Sequence, residues 1–262
     1  MKAICLHDQT IIASFLSRNP QLNVYELGDL DPFFWPSTTW YGLIDADVLR
    51  QVVLVYAQPE LPVLLALSAD SSPYTAQLLR LIGYLLPRRL YAHLTADAVT
   101  ALAASYDLQS DGTHHKMALT DYARLESVDP GEVAPLAPAD LAAVQELYRA
   151  SYPGNWFDPR MLETGCYYGV WGAGCLVSIA GVHVYSPEYR VAALGNVTTH
   201  PEHRGRGLAR RTTAKLCQAL RSTVDHISLN VRVENQAAIA CYRRLGFEPV
   251  ATYGEYTLTA KP

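Results

Sequence analysis

At 262 residues, half of them hydrophobic, the chain is long enough for two globular domains that each bury a core. Its 21 Lys and Arg against 25 Asp and Glu leave a net charge of −4, which gives no electrostatic footprint for a nucleic-acid partner. No apolar run reaches the roughly 18 residues of a membrane span, and His7, Asp8 and Gln9 close the N-terminal run too early for a signal peptide, so a cytoplasmic protein without a membrane partner is expected.

Residues 9–18 and 22–30 read as helices, 52–57 and 63–67 as strands, and 74–85 as a helix with apolar residues at helical spacing. A strand over 90–94, an Ala-rich helix over 96–105 and a hydrophobic return at 116–119 follow. The Pro-rich stretch 127–138, SVDPGEVAPLAP, reads as a linker that divides the chain into residues 1–127 and 128–262. Charge divides with it. The first part holds 8 Lys and Arg against 13 Asp and Glu, net −5, and the second 13 against 12, net +1, so an anionic ligand belongs to the second.

In the second part, residues 138–151 place apolar side chains at 141, 144, 147 and 148, one face of a helix, with Asp140 near the start where an anion suits the helix dipole. Residues 167–171 and 175–185 form a predicted hairpin across Gly172-Ala173-Gly174. A strand over 190–199, a helix over 208–220, a strand over 226–233, a helix over 235–245 and an alternating strand over 253–259 complete the series. Five cysteines, odd in number and without Cys-x-x-Cys spacing, read as reduced core thiols. His114-His115 alone is no zinc site, and no metal is expected.

The segment LGNVTTHPEHRGRGLA, residues 194–209, runs from a buried strand through a glycine loop into a helix. Glycines let the backbone approach a ligand closely, and a helix start offers unpaired N–H groups and positive potential, which together suit a pyrophosphate. A dinucleotide fingerprint would need a third glycine where Arg210 stands, and a nucleotide-triphosphate loop needs a Gly-Lys-Ser/Thr ending that the chain lacks. The fuller pattern is Arg204-x-x-Gly207-x-Ala209 after Val197-Thr198-Thr199-His200-Pro201, with Asn235, Tyr242 and Leu245-Gly246-Phe247 downstream. It resembles the acetyl-CoA signature of the GCN5-related N-acetyltransferase (GNAT) family.

The resemblance implies an α/β (α+β) fold of two tandem GNAT-like acyl-CoA N-acyltransferase domains with mixed sheets flanked by helices. The N-terminal copy, 1–127, would be degenerate, since Ser68-Ala69-Asp70-Ser71-Ser72-Pro73 holds neither the glycine pair nor an arginine. The resemblance further implies acetyl-CoA as cosubstrate, held by Val197, Thr198, Thr199, Arg204, Gly205, Arg206, Gly207, Leu208, Ala209 and Asn235. Its pantetheine arm would lie where strand residues 194–199 and 227–233 splay apart.

Acyl transfer from a thioester to an amine needs a neutral attacking amine, a donor for the developing oxyanion and a donor for the leaving thiolate. Tyr242 matches the family position for the last of these, and a phenol with an ordinary pKa near 10 stays protonated at neutral pH. As general base, His183 on the strand ahead of the cofactor strand and Glu188 in the turn Ser186-Pro187-Glu188 both remain open, and Asn196 or Thr198 could position a water. Tyr152-Pro153-Gly154-Asn155-Trp156-Phe157 is the candidate acceptor gate. The expectation is an N-acetyltransferase acting by direct attack on a small-molecule or peptide amine, as monomer or homodimer. The alternative is a noncatalytic coenzyme A-binding sensor.

Overall fold

A computed structural model describes residues 1–57, 60–68 and 73–262; of the Ser68–Pro73 turn discussed above, residues 69–72 lie outside the described residues. Two compact units emerge, Met1–Lys116 together with Pro249–Pro262, and Met117–Glu248. No helix among the described residues is long and apolar enough to cross a membrane.

The first unit contains β1 (Lys2–Leu6), α1 (Gln9–Leu16), α2 (Val24–Gly28), β2 (Thr38–Asp45), β3 (Val48–Tyr56), β4 (Val63–Ala66), α3 (Pro73–Ile82), β5 (Arg89–Leu94), α4 (Ala96–Leu102) and β6 (Tyr106–Leu119), whose last three residues pass into the second. Asp8 starts α1 by accepting from the N–H groups of Thr10 and Ile11 at 2.8 and 3.1 Å. Asn19 accepts from Leu22 N–H, and the Asn23 amide donates to Leu16 O at 2.9 Å, so both make turn contacts. Strands β1, β2, β3 and β4 pair antiparallel in sequence order, and β5 then joins β4 in parallel through the α3 crossover. Glu26, Asp29 and Lys116 are buried here, with the Lys116 ammonium 4.7 Å from the Tyr25 ring centre. Burial pushes both carboxyls up and the amine down.

The second unit repeats the scheme with α5 (Tyr122–Glu126), β7 (Ala134–Pro135), α6 (Leu141–Ser151), β8 (Tyr168–Gly172), β9 (Cys175–Ser186), β10 (Val191–Thr199), α7 (Leu208–Leu220), β11 (His226–Arg232) and α8 (Gln236–Arg244). Again three antiparallel pairings lead to a parallel one, β10 to β11, across a helix, α7. Ala173 and Gly174 both have positive φ, which matches a two-residue hairpin turn to the strand twist between β8 and β9. The core packs Val144, Leu147, Ile179, Leu194, Leu216, Ile227 and Phe247 together.

The last strand, β12 (Phe247–Ala260), leads back to the first unit and pairs antiparallel with β5, from Gly254↔Leu94 to Thr259↔Arg89. The division therefore differs from the sequence expectation of 1–127 and 128–262. β6 runs unbroken past Lys116, and the Pro-rich stretch behaves as a strap rather than a linker. Arg211 Nε donates to Pro130 O at 2.8 Å, and the Gln218 amide donates to Leu125 O and Val128 O, which fastens the stretch to α7.

Candidate active site

β10 and β11 pair only from Val191↔His226 to Leu194↔Leu229, although β10 runs on to Thr199 and β11 to Arg232. The strands part there, as the sequence reading anticipates for 194–199 and 227–233. In the first unit the matching pair stays closed, because β4 keeps its partner through its last residue, Ala66↔Leu94.

Where β10 leaves β11, its register with β9 also shifts between Gly195 and Thr198, and Asn196 takes φ +57°. One extra residue bulges the strand. Asn196 is buried, and its amide donates to Tyr167 Oη at 3.1 Å and accepts from the Asn155 amide at 3.2 Å, while Tyr148 Oη donates to its carbonyl at 3.1 Å. Three elements thus pin the bulge. Tyr167 in turn donates to Val182 O at 2.9 Å and lies where a Cβ on Gly181 would stand.

Beyond β10 the chain makes one short turn, Pro201–His203, and enters the glycine loop. Gly205 and Gly207 adopt φ +77° and +74°, and a Cβ on either would meet nothing within 4 Å. Glycine is required there by backbone conformation rather than by crowding. Gly207 caps α7 without a side chain, and the first return bond runs from Arg211 N–H to Gly207 O at 3.1 Å. The N–H groups of Leu208, Ala209 and Arg210 consequently have no carbonyl one turn back. Arg204 Nε donates to Thr199 O at 3.2 Å and a guanidinium N–H of Arg206 donates to Glu202 O at 3.3 Å, so both arginines also shape the loop they charge. Val197, Thr198 and Thr199 form the parted end of β10, held from the β9 side by Ser178, whose hydroxyl bonds Thr198 O at 3.2 Å and Thr199 Oγ1 at 2.9 Å.

Asn235 caps α8, its Oδ1 accepting from Ala238 N–H at 3.1 Å. About two turns on, Tyr242 is buried with its ring 5.9 Å from that of Phe247. Its hydroxyl has no hydrogen-bond partner among the described residues. Burial, with Cys241, Tyr152 and Cys217 adding to it, pushes the phenol well above its usual range.

The two candidate bases are placed very differently. The His183 imidazole occupies the position a Cβ on Gly195 would take, directly beside the point where the strands part. Its ring meets Trp156 edge-on at 5.7 Å. Glu188 sits exposed in the turn that precedes Val191, at the end of β10 remote from the glycine loop. The aromatic loop converges on the same region through Asn155 on the bulge, Trp156 on His183, and Phe157 between Tyr148 and Tyr167 at 5.1 and 6.0 Å. The sequence marked Asn196 only as a residue able to place a water. Its local signal is the Gly-Asn pair inside a strand, a bulge signature.

Residues 141–247, which contain the bulge, loop, cap and tyrosine, match the acetyltransferase (GNAT) family model. N-alpha-acetyltransferase RimI of Mycobacterium tuberculosis is 35% identical over 139 residues, 49% of this chain and 85% of that protein. The chain belongs to the GNAT family. The uncharacterized protein ML0378 of Mycobacterium leprae is 32% identical over 139 residues, a match covering 49% of this chain and 37% of that longer relative. Among solved structures, a tandem GNAT protein from the clavulanic acid biosynthesis pathway has a TM-score of 0.59 at 17% identity, covering 100% of this chain and 99% of its own, a likeness of fold. Both units here follow the GNAT order of strands, and the second alone combines it with a parted strand pair among the described residues.

Proposed function

We propose that the second unit transfers the acetyl group of acetyl-CoA to a primary amine of a small molecule or peptide, by direct attack within a ternary complex. The observation that carries this reading is the parting of β10 from β11 at the strand end that leads into a left-handed glycine loop. That loop opens α7, and on α8 the hydroxyl of the buried Tyr242 has no hydrogen-bond partner among the described residues. The pyrophosphate fits the loop N–H groups with Arg204 and Arg206, and the pantetheine arm fits the open edge Val197–Thr199.

His183 takes the proton of the attacking amine, the nitrogen–carbonyl bond forms, the carbon–sulfur bond breaks, and Tyr242 donates to the leaving sulfur. His183 is preferred to Glu188 because its ring stands at the parting of the strands. A covalent cysteine route has little support: burial pushes the Cys166 thiol up to about 11 and the thiols of Cys217 and Cys241 upward as well. All five cysteines are free, which fits the cytoplasm, where the enzyme is proposed to act as monomer or homodimer. The relative's name, N-alpha-acetyltransferase, makes peptide α-amines the first acceptors to try.

Calorimetry with acetyl-CoA, then thiol release with hexapeptides varied at the N-terminal residue and with small primary amines, tests this. Binding with turnover of at least one amine is expected. Binding without turnover across the set would favour the sensor reading, and absence of binding would overturn the proposal.

A further inference from the structure

Asn230 lies on β11 immediately after Leu229, the last residue that β11 pairs with β10. Its Oδ1 is buried and has no hydrogen-bond partner among the described residues. A buried amide oxygen left unpaired keeps its full desolvation penalty, so a fold keeps one where something else supplies the donor. In a parallel pair, residues in register point to the same side of the sheet, and Leu194↔Leu229 puts Gly195 and Asn230 on one side. The His183 ring covers Gly195 on that side. Imidazole and amide therefore flank the parting of the strands from opposite strands on a common face, which is also the face that Trp156 approaches.

We infer that Asn230 is an acceptor-binding residue, its Oδ1 receiving an N–H of the attacking amine and so turning the nitrogen lone pair toward the thioester while His183 takes the proton. The inference rests on the proposed acetyl transfer. An amide serves this purpose without titrating, so it holds a neutral amine without stabilising the unreactive ammonium as a carboxylate would. The common face with His183 assigns the oxygen to the acceptor rather than to the pantetheine amides.

The test compares wild type, Asn230→Leu and Asn230→Asp, using as probes those hexapeptides or small amines that wild type turns over. Asn230→Leu removes an unpaired buried acceptor while keeping the branched four-heavy-atom side-chain skeleton, so its melting temperature should hold or rise. Its acceptor KM should increase about tenfold, with acetyl-CoA affinity by calorimetry unchanged. Asn230→Asp, which keeps an oxygen in place, should recover most of the loss. An unchanged acceptor KM in Asn230→Leu would overturn the inference, as would a tenfold weaker acetyl-CoA affinity with acceptor KM intact, which would give Asn230 to the cofactor arm. Failure of wild type to release thiol with any probe would instead defeat the acetyl-transfer reading and this assignment with it.

Discussion

Removing one oxygen from Tyr242 separates chemistry from packing. The ring is embedded beside Phe247, but the hydroxyl bonds to no described residue, so Tyr242→Phe should keep the wild-type melting temperature and acetyl-CoA affinity. kcat should fall by about 10–1000-fold, the range of general acid catalysis, and full activity would remove the phenol from the mechanism. Burial raises this phenol above its ordinary value, so the protonated, donating form persists as pH rises. With saturating substrates, kcat should show no Tyr242-dependent loss at pH 10, where an unperturbed phenol would be about half ionised. A second comparison concerns the loop. Gly207→Ala introduces only the strain of a side chain at φ +74°, roughly 1 kcal/mol, whereas Gly207→Glu adds negative charge beside the helix start. Calorimetry should find acetyl-CoA bound within a few-fold of wild type in the first and lost in the second; equal affinities would remove the phosphate from this loop. Gly205, Gly207, Asn235 and Tyr242 could be singled out from the sequence because their types and spacing match the signature that the GNAT resemblance supplies. Asn230 was not, since its interest lies in a missing partner, and only the fold shows which atoms approach which.

Strand pairing decides which unit can hold a ligand arm, and pairing is what a linear pattern reveals least. The sequence identified β10 and β11 from their apolar runs, but the bulge at Asn196 depends on Tyr148, Asn155 and Tyr167, which approach from three other segments. β6 was recognised only at its apolar end, 116–119, because Asp107, Gln109, Ser110 and Asp111 hide the rest of the strand. β1 and β2 went unread as strands. β12 was expected from its alternation, yet its partner β5 lies far away in the chain, and contacts with Glu255 fasten the two. Tyr253 and His93 reach Oε1 at 3.0 and 3.4 Å, while Tyr91 and His114 reach Oε2, the latter at 3.5 Å. A carboxylate with two neighbours on each oxygen is a structural fastening rather than a base. Burial pushes its carboxyl up, but His93, Tyr91, His114 and Tyr253 together hold it below the usual range. A depressed folded value gives stability that is full above the unfolded pKa and lost as pH falls through the folded one. Glu255→Gln should therefore lower the urea midpoint at pH 7, with the gap to wild type narrowing below about pH 4. A midpoint unchanged at pH 7 would show that the cluster fastens nothing.

At the scale of the whole chain, one plan of strands appears twice, and the proposed cofactor site belongs to the second copy alone. Among the described residues the closed β4–β5 pair leaves no edge comparable to Val197–Thr199, and residues 1–127 carry a net charge of −5, which disfavours a pyrophosphate. Titration of the full chain with acetyl-CoA should give one equivalent, and two equal sites would show the first unit to be a working copy. The doubling was legible in the order of elements, whereas the return of residues 249–262 to the first unit was not, because nothing in an alternating strand names the edge it will join. That return governs how the protein is made. Tyr91 and Glu255, which meet in the finished first unit, are 164 residues apart in the chain. Translation must deliver all of Met117–Glu248 before β12 exists to pair with β5. The half synthesised first is thus completed last, and until then β5 presents an unpaired edge that a chaperone or a neighbouring nascent chain can find.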